Sequence, residues 1–403
     1  MQAGSLAEIV RYFLRLGFLG FGGPVALVGQ MERELVTERK WYTREQMREA
    51  IAVCQSLPGP LAIQVGIFLA YLRAGQKGAW AGGWSFIAPN FVIVTALGLL
   101  YVHYGELKPM TAIFYGVSPA VIALILHSCY RLAKLGMENK LQWIIAAACF
   151  VITVVVQAEV AFLFIGAGIA GTLVYGRSNT RTESTASAPS ASPEPPPAQT
   201  STVKPKVSAG FVVSTAGVAN AMTLGKLLLF FLKAGALTFG SGLVIVPFLQ
   251  QGVVQQYGWL NERDFLVAVA VGMVSPGPVV ITATFVGALV AGFWGALAAT
   301  IGIFLPSFLL VLIVAPILAR HRSNKRVQGF IKGAYSAAIG TILGASVLLG
   351  RIAIGDVFTA LVAVAALSAL FRLKISNPLL MAITASAGLI AFPLLHPTWM
   401  MLK

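Results

Sequence analysis

The chain has 403 residues, 57% of them hydrophobic and 11% charged, with a formal net charge of +15 and a mean hydropathy of +0.82. A soluble domain carries about 25% charged residues, so the composition excludes an ordinary soluble protein. The positive balance does not point to nucleic acid, because Lys and Arg sit mainly in short segments between apolar runs, where a membrane protein records its orientation.

The amino-terminal stretch MQAGSLAEIVRYFLRLGF has neither a basic start nor a small-residue cleavage site, which predicts a retained first helix and not a signal peptide. Apolar runs long enough to cross a bilayer core of about 30 Å predict spans at 6–29, 79–102, 110–134, 141–157 and 159–176. A second set follows at 224–250, 294–319, 329–350, 355–371 and 377–395. Between the sets, 178–207 is rich in Ser, Thr, Ala and Pro and cannot bury a core. The predicted organisation is a first membrane half, 1–177, a flexible linker, 178–222, and a second membrane half, 223–403. Cys54, Cys129 and Cys149 lie in or beside apolar runs without metal spacing and read as packing residues.

The halves repeat each other. Phe13, Gly17, Phe21 and Gly22 recur 218 residues later as Phe231, Gly235, Phe239 and Gly240; Arg15 recurs as Lys233, Trp41 as Trp259, and Pro58-Gly59-Pro60 as Pro276-Gly277-Pro278. After one deletion the offset is 217, and Gly75, Pro89 and Gly116 meet Gly292, Pro306 and Gly333. A constant offset over several motifs marks an internal duplication, common in secondary transporters.

Charge sets the sense of the repeat. The loop 31–48 holds Arg33, Arg39, Lys40, Arg44 and Arg48, whereas its counterpart near 250–264 holds only Arg263. The third loop reverses this, with Lys108 in one half against Arg320, Arg322, Lys325 and Arg326 in the other. Equivalent loops are thus expected on opposite faces, in an inverted-topology repeat. Arg73 and Lys77, after Pro-Gly-Pro, put that element's exit on the same side as its entry and predict a re-entrant hairpin. The expected fold is an all-α integral membrane protein of two inverted halves, about ten spans plus one re-entrant Pro-Gly-Pro element per half, with both termini outside. Counting Pro-Gly-Pro as a full span gives twelve instead.

Phe21-Gly22-Gly23-Pro24 and Phe239-Gly240-Ser241-Gly242 interrupt apolar runs, and the Pro-Gly-Pro elements do so again, with fresh helices expected near Leu61 and Val279. A helix begun at mid-membrane leaves free N–H groups at its positive end, a setting for an anion; the plainer alternative is kinking for packing. Arg15 and Lys233 each stand seven residues, about two turns, before Gly22 and Gly240. A cation inside a span points to function, against the alternative of snorkelling to the interface. No Asp or Glu falls mid-span: Glu49 and Asp264 flank the Pro-Gly-Pro elements, and Glu159 sits at a hairpin tip. The four His are scattered, with His127 in a span. No nucleophilic triad, metal cluster or phosphate loop is present in the sequence, so neither an enzyme, a metal nor a cofactor is expected.

These motifs resemble the chromate ion transporter family, long-chain type. The resemblance rests on F-x-[KR]-x-G-x-x-x-F-G-G-P from Phe13 to Pro24, on Q-x-x-P-G-P-x-A-x-Q from Gln55 to Gln64, and on the basic loop ending in Trp41. It covers both halves, with departures at Arg15, where the family often has Lys, and at Gly240-Ser241-Gly242 in place of Gly-Gly-Pro. It implies efflux of chromate, with resistance as the outcome and sulfate as the close analogue, in a multi-pass protein of a bacterial inner membrane. The candidate substrate-binding set is Arg15, Phe21, Gly22, Gly23, Pro24, Gln55, Pro58, Gly59, Pro60 and Gln64, with Lys233, Phe239, Gly240, Ser241, Gly242, Ser275, Pro276, Gly277, Pro278 and Thr282 in the second half. The expected partners are a small oxyanion and the lipid bilayer, without nucleic acid; a homo-oligomer stays open. The alternatives to chromate export are transport of sulfate or another anion, and a non-transporting membrane scaffold or sensor.

Overall fold

A computed structural model describes residues 5–20, 23–55, 57–105, 107–155, 160–176, 221–237, 239–240, 242, 245–315, 324–373 and 375–395. Phe21, Gly22, Ser241, Glu159, Arg320, Arg322 and nearly all of the expected linker lie outside the described residues.

In the first half, α1 (Leu6–Leu19) is followed by α2 (Gly23–Met31), which continues as a π-helical stretch to Glu38. Next come α3 (Arg44–Cys54), β1 (Gly59–Pro60) and α4 (Leu61–Tyr104), then α5 (Lys108–Gly136), α6 (Lys140–Val155) and α7 (Val160–Gly176). The second half repeats the order: α8 (Ala221–Leu237), β2 (Phe239–Gly240), α9 (Ile245–Leu249) with a π-helical stretch Gln250–Gln256, and α10 (Glu262–Val274). A 3-10 turn, Val279–Ile281, leads into α11 (Thr282–Leu309), followed by α12 (Lys325–Ala353), α13 (Val357–Arg372) and α14 (Asn377–Leu395). The helices near Leu61 and Val279 start where the sequence places them.

Neither α4 nor α11 is a single rod. At Ala74 (φ −141°, ψ 25°) and Gly75 (φ 61°, ψ −151°) the helix is interrupted, and the same dihedrals return at Ala291 (φ −146°, ψ 30°) and Gly292 (φ 60°, ψ −147°). A positive φ of this kind suits Gly because it has no Cβ. The chain doubles back there. Gly78 lies against the Ala70 carbonyl, and the Thr284 and Thr300 hydroxyls bond at 2.7 Å across the second bend.

The first apolar run of each half folds differently from the expected span. Tyr12 and Trp41 pack with ring centroids 5.8 Å apart, and the Arg39 guanidinium lies 5.2 Å over Tyr12. One broken span over 6–29 would put Tyr12 about 25 Å, at 1.5 Å per residue, from the loop that holds Arg39 and Trp41. Instead α1 and α2 form a hairpin with its tip near Gly20–Gly23. Its counterpart brings Phe230 to Phe248, Tyr257 and Trp259, at 5.5, 5.6 and 5.7 Å. A second hairpin joins α3 to the first arm of α4: Tyr42 Oη donates to Leu69 O at 2.6 Å, and the Arg73 guanidinium stacks 4.0 Å from Trp41. A capping box between Thr43 and Gln46 fixes the entry to α3. Arg73 also pairs with Glu8 at 3.2 Å, so the bases of both hairpins gather at one end of the half, and α1 starts there too. The bases in the second half lie at the far end of α4, where Tyr101 Oη donates to Asp264 and Arg263 donates to Thr111, at 2.8 and 2.9 Å.

Equivalent helices run in opposite directions. Along α5 and α12, Ile122 meets Gly350, Cys129 Sγ meets Ile339 O at 3.7 Å, and Leu132 O accepts from Tyr335 at 2.8 Å. Each of these helices packs on the last two helices of the other half: α5 on α13 and α14, α12 on α6 and α7. The backbones touch at glycines, Gly116 against Thr384 and Gly388, and Gly333 against Ala167 and Gly168, as small residues allow in membrane bundles. Outward faces are apolar, with Val92, Ile144, Phe162, Leu361 and Ile390 each more than half exposed. Among the described residues, five helices are long and apolar enough to cross a bilayer. Water would not tolerate so much exposed apolar surface and lipid does, so this is a multi-pass membrane protein.

Candidate functional site

The four hairpin tips meet. β1 pairs in parallel with β2, Gly59 in register with Phe239 and Pro60 with Gly240. In the mirrored position, the Gly277 N–H donates to Gly20 O at 2.7 Å. Gly20 directly precedes Phe21 and Gly22, the first-half copies of Phe239 and Gly240. The Pro-Gly-Pro tip of the first half therefore lies on Phe239-Gly240 of the second, and that of the second half on Gly20 of the first.

Local chemistry fixes these tips. Flanking prolines remove two N–H groups and pin φ, and the glycine between them takes a φ of 133° at Gly59 and 88° at Gly277, which an L side chain resists. Gln64 Nε2 donates to Pro58 O at 2.6 Å and ties the first turn of α4 back to the tip. Thr282, the repeat partner of Gln64, donates to Val279 O at 2.9 Å. Gly59, Pro60, Gln64, Gly242, Pro276, Gly277, Pro278 and Thr282 are buried, while Pro58 and Ser275 are half-buried. Ser275 donates to Gly272 O at 3.3 Å. Gly23 opens α2 with Pro24 in its first turn, and Phe239 and Gly240 form β2. Gln55 is exposed at the end of α3, outside this junction.

Two junction residues escaped the sequence reading. Asn90 and Ser307 follow Pro89 and Pro306, which lie inside α4 and α11, and are repeat partners at offset 217. Both are fully buried. Asn90 Nδ2 stands 3.0 Å from where a Cβ on Gly277 would sit, and Ser307 Oγ 2.9 Å from the same point on Gly59. Neither Asn90 Nδ2, Asn90 Oδ1, Ser307 Oγ nor Gln64 Oε1 has a hydrogen-bond partner. Leaving a buried polar atom unpaired costs about 1–3 kcal/mol, so four in one junction call for a reason. The available signal was a polar residue after each repeated proline; the change from Asn to Ser hid the pair.

Arg15 and Lys233 are not brought into the junction's buried core. Both side chains are exposed on α1 and α8. Lys233 lies 5.8 Å from the Phe248 ring at a groove of about 180 Å³ lined also by Phe230, Gln251 and Tyr257. One carboxylate is buried near a hairpin base: Glu34 accepts from Gln30 Nε2 at 2.9 Å. At the same base, burial pushes the Tyr42 phenol above its usual range against the opposing pull of Arg73. His127 packs edge-on to Phe371 at 4.8 Å. Among the described residues, no three His, Cys, Asp or Glu side chains gather in a metal-binding group.

Two repeats of opposite direction, helical hairpins that meet tip to tip, and a buried polar junction between them define a helical membrane protein of the transport class. The chain belongs to the chromate transporter family: the family described as Chromate transporter matches it twice, over residues 7–172 and 225–390, once per half. A chromate transport protein of Cupriavidus metallidurans is 42% identical over 97% of this chain and 94% of its own length. A probable chromate transport protein of Synechococcus elongatus is 42% identical over 96% of each chain. A chromate transport protein of Pseudomonas aeruginosa is 32% identical over 86% of this chain and 82% of its own length. No solved structure matches.

Proposed function

We propose that the protein carries chromate out of the cytoplasm across a bacterial inner membrane, binding the anion where the four hairpin tips meet. The observation that carries this reading is the reciprocal docking of each Pro-Gly-Pro tip on the opposite half, around buried polar groups that lack partners. The names of the full-length relatives support chromate as the substrate. Helix starts at Gly23 and Leu61 turn free N–H groups toward the tips, and such groups favour an anion.

The membrane reading follows from charge. The end carrying Arg33, Arg39, Lys40, Arg44, Arg48, Arg73 and Lys77 is cytoplasmic, and the end carrying Lys108 and Arg263 is periplasmic. The halves are then inverted, and their hairpins are re-entrant, opening to opposite faces with tips at mid-depth. The α1 helix has 14 residues, about 21 Å, and is too short to cross alone. This gives two re-entrant hairpins per half, not one, and eight crossings among the described residues, with α7 ending on the cytoplasmic face and α8 starting on the periplasmic one: the second arms of α4 and α11, and α5, α6, α7, α12, α13 and α14. The amino-terminal end of α1 falls on the cytoplasmic face, not outside. Arg15 and Lys233, exposed beside their hairpins, draw the anion toward the tips from either side.

The direction follows from the membrane potential. A dianion leaving the negative interior gains about 4.6 kcal/mol per 100 mV, twice the single-charge value. Sulfate, a tetrahedral dianion of similar size, is the second substrate the same groups suit. Chromate uptake is to be compared in inverted and right-side-out vesicles with sulfate as competitor. Export predicts saturable uptake into inverted vesicles; uptake confined to right-side-out vesicles would overturn the direction, and none in either would overturn the substrate.

A further inference from the structure

We propose that Asn90 and Ser307 are the substrate-contacting side chains of the junction, one from each half, each donating a hydrogen bond to an oxygen of the bound oxyanion. The inference rests on the anion-site reading above and adds to it the groups that recognise the substrate. Three observations lead to it. Both residues are fully buried. Both face a Pro-Gly-Pro glycine of the opposite half, at 3.0 and 2.9 Å from its Cβ position. Asn90 has neither amide atom paired, and the Ser307 hydroxyl has no partner.

A packing role does not account for them. Within a helix a buried Ser usually donates to the carbonyl one turn back, as Ser346 does to Ile342 O at 2.7 Å. Ser307 makes no such bond. A side chain kept polar, buried and unpaired at both positions of an inverted repeat is a donor waiting for an acceptor. The glycine opposite leaves the space, since a side chain on Gly59 or Gly277 would occupy the same volume. The two donors also differ in kind: an amide offers two N–H groups and a hydroxyl one, so the two faces of the site are chemically unequal despite the repeat.

The test uses the full-length protein, with chromate and sulfate as probes in inverted vesicles and melting temperature in detergent. Asn90→Ala and Ser307→Ala are expected to raise KM roughly tenfold to hundredfold, the scale of a hydrogen bond to a charged group, while melting temperature holds or rises, because an unpaired buried polar atom is removed. Asn90→Ser and Ser307→Thr, which keep a donor, are expected to stay within about threefold of wild type on the scale of weaker geometry. Asn90→Asp, nearly isosteric, is expected to abolish uptake by repelling the dianion. Unchanged KM in both Ala variants, or a fall in melting temperature without a KM change, would overturn the proposal. If Gly59→Leu and Gly277→Leu are inactive in the same assay, only the assignment of these two side chains fails; if those are active as well, the junction reading fails with it.

Discussion

The N–H of Gly277 donates to the carbonyl of Gly20 at 2.7 Å, joining the second hairpin of the second half to the first hairpin of the first. The parallel pairing of Gly59 with Phe239 is its mirror. Each tip is thereby held by the opposite half, and a shift of either hairpin pair must break a bond at the centre of the molecule.

Replacing a tip glycine should abolish transport without preventing insertion. At Gly59, φ is 133° and an added Cβ runs into Gln64; at Gly277, φ is 88° and the Cβ approaches Asn90. Left-handed backbone costs an L residue about 1–2 kcal/mol, which a protein of ordinary stability survives. Gly59→Leu and Gly277→Leu are expected at near-normal membrane abundance with chromate uptake at background. Wild-type uptake in either variant would reduce the breaks to packing kinks.

Opposed hairpins should label from opposite faces. Because Cys54, Cys129 and Cys149 are buried, single cysteines can be read against a quiet background. Lys40→Cys and Asn324→Cys are expected to react from the cytoplasm, and Tyr257→Cys and Leu107→Cys from the periplasm. Labelling of positions 40 and 257 from the same side would contradict the inversion.

Glycine contacts between the halves should govern stability symmetrically. Gly116 and Gly333 are repeat partners pressed on the backbones of α14 and α7, whereas Gly166 has no atom within 4 Å of its Cβ position. Gly116→Leu and Gly333→Leu are each expected to cost about 3 kcal/mol or more through overpacking, lowering melting temperature in detergent, with Gly166→Leu near neutral. Equal effects at all three positions would contradict the interlocked packing.

The exposed cations should matter less than the buried junction. Arg15→Gln and Lys233→Gln are expected to weaken chromate affinity by about threefold to tenfold, more at low salt, as loss of electrostatic attraction predicts. Arg15→Lys keeps the charge and should stay near wild type. A salt-independent loss of more than about a hundredfold, beyond the scale of a screened exposed charge, would place these side chains directly on the anion.

Much of this architecture is written in repeats that the sequence displays. The 217-residue offset pairs Gly75 with Gly292, and their dihedrals agree within a few degrees. Apolar runs located α5 to α7 and α12 to α14 closely, because length and hydropathy decide a span. The hairpins of α1 with α2 and of α8 with α9 were not legible. A run over 6–29 is long enough to cross, and only contacts such as Tyr12 with Trp41 reveal that it folds back. Charge near 31–48 could not separate the cases, since that loop is cytoplasmic in both. Within the site, the glycine and proline tips were visible through their backbone demands. Asn90 and Ser307 were not, because one position of the repeat holds two residue types and burial is a property of the packed chain.

The most direct measurement of the central claim is chromate accumulation in inverted inner-membrane vesicles under an imposed lumen-positive potential, wild type against Gly277→Leu at equal abundance. Accumulation that is saturable, rises with the potential and falls to background in the variant is the predicted result. Accumulation indifferent to the potential, or equal in the variant, would contradict export of the anion through the junction of the hairpin tips.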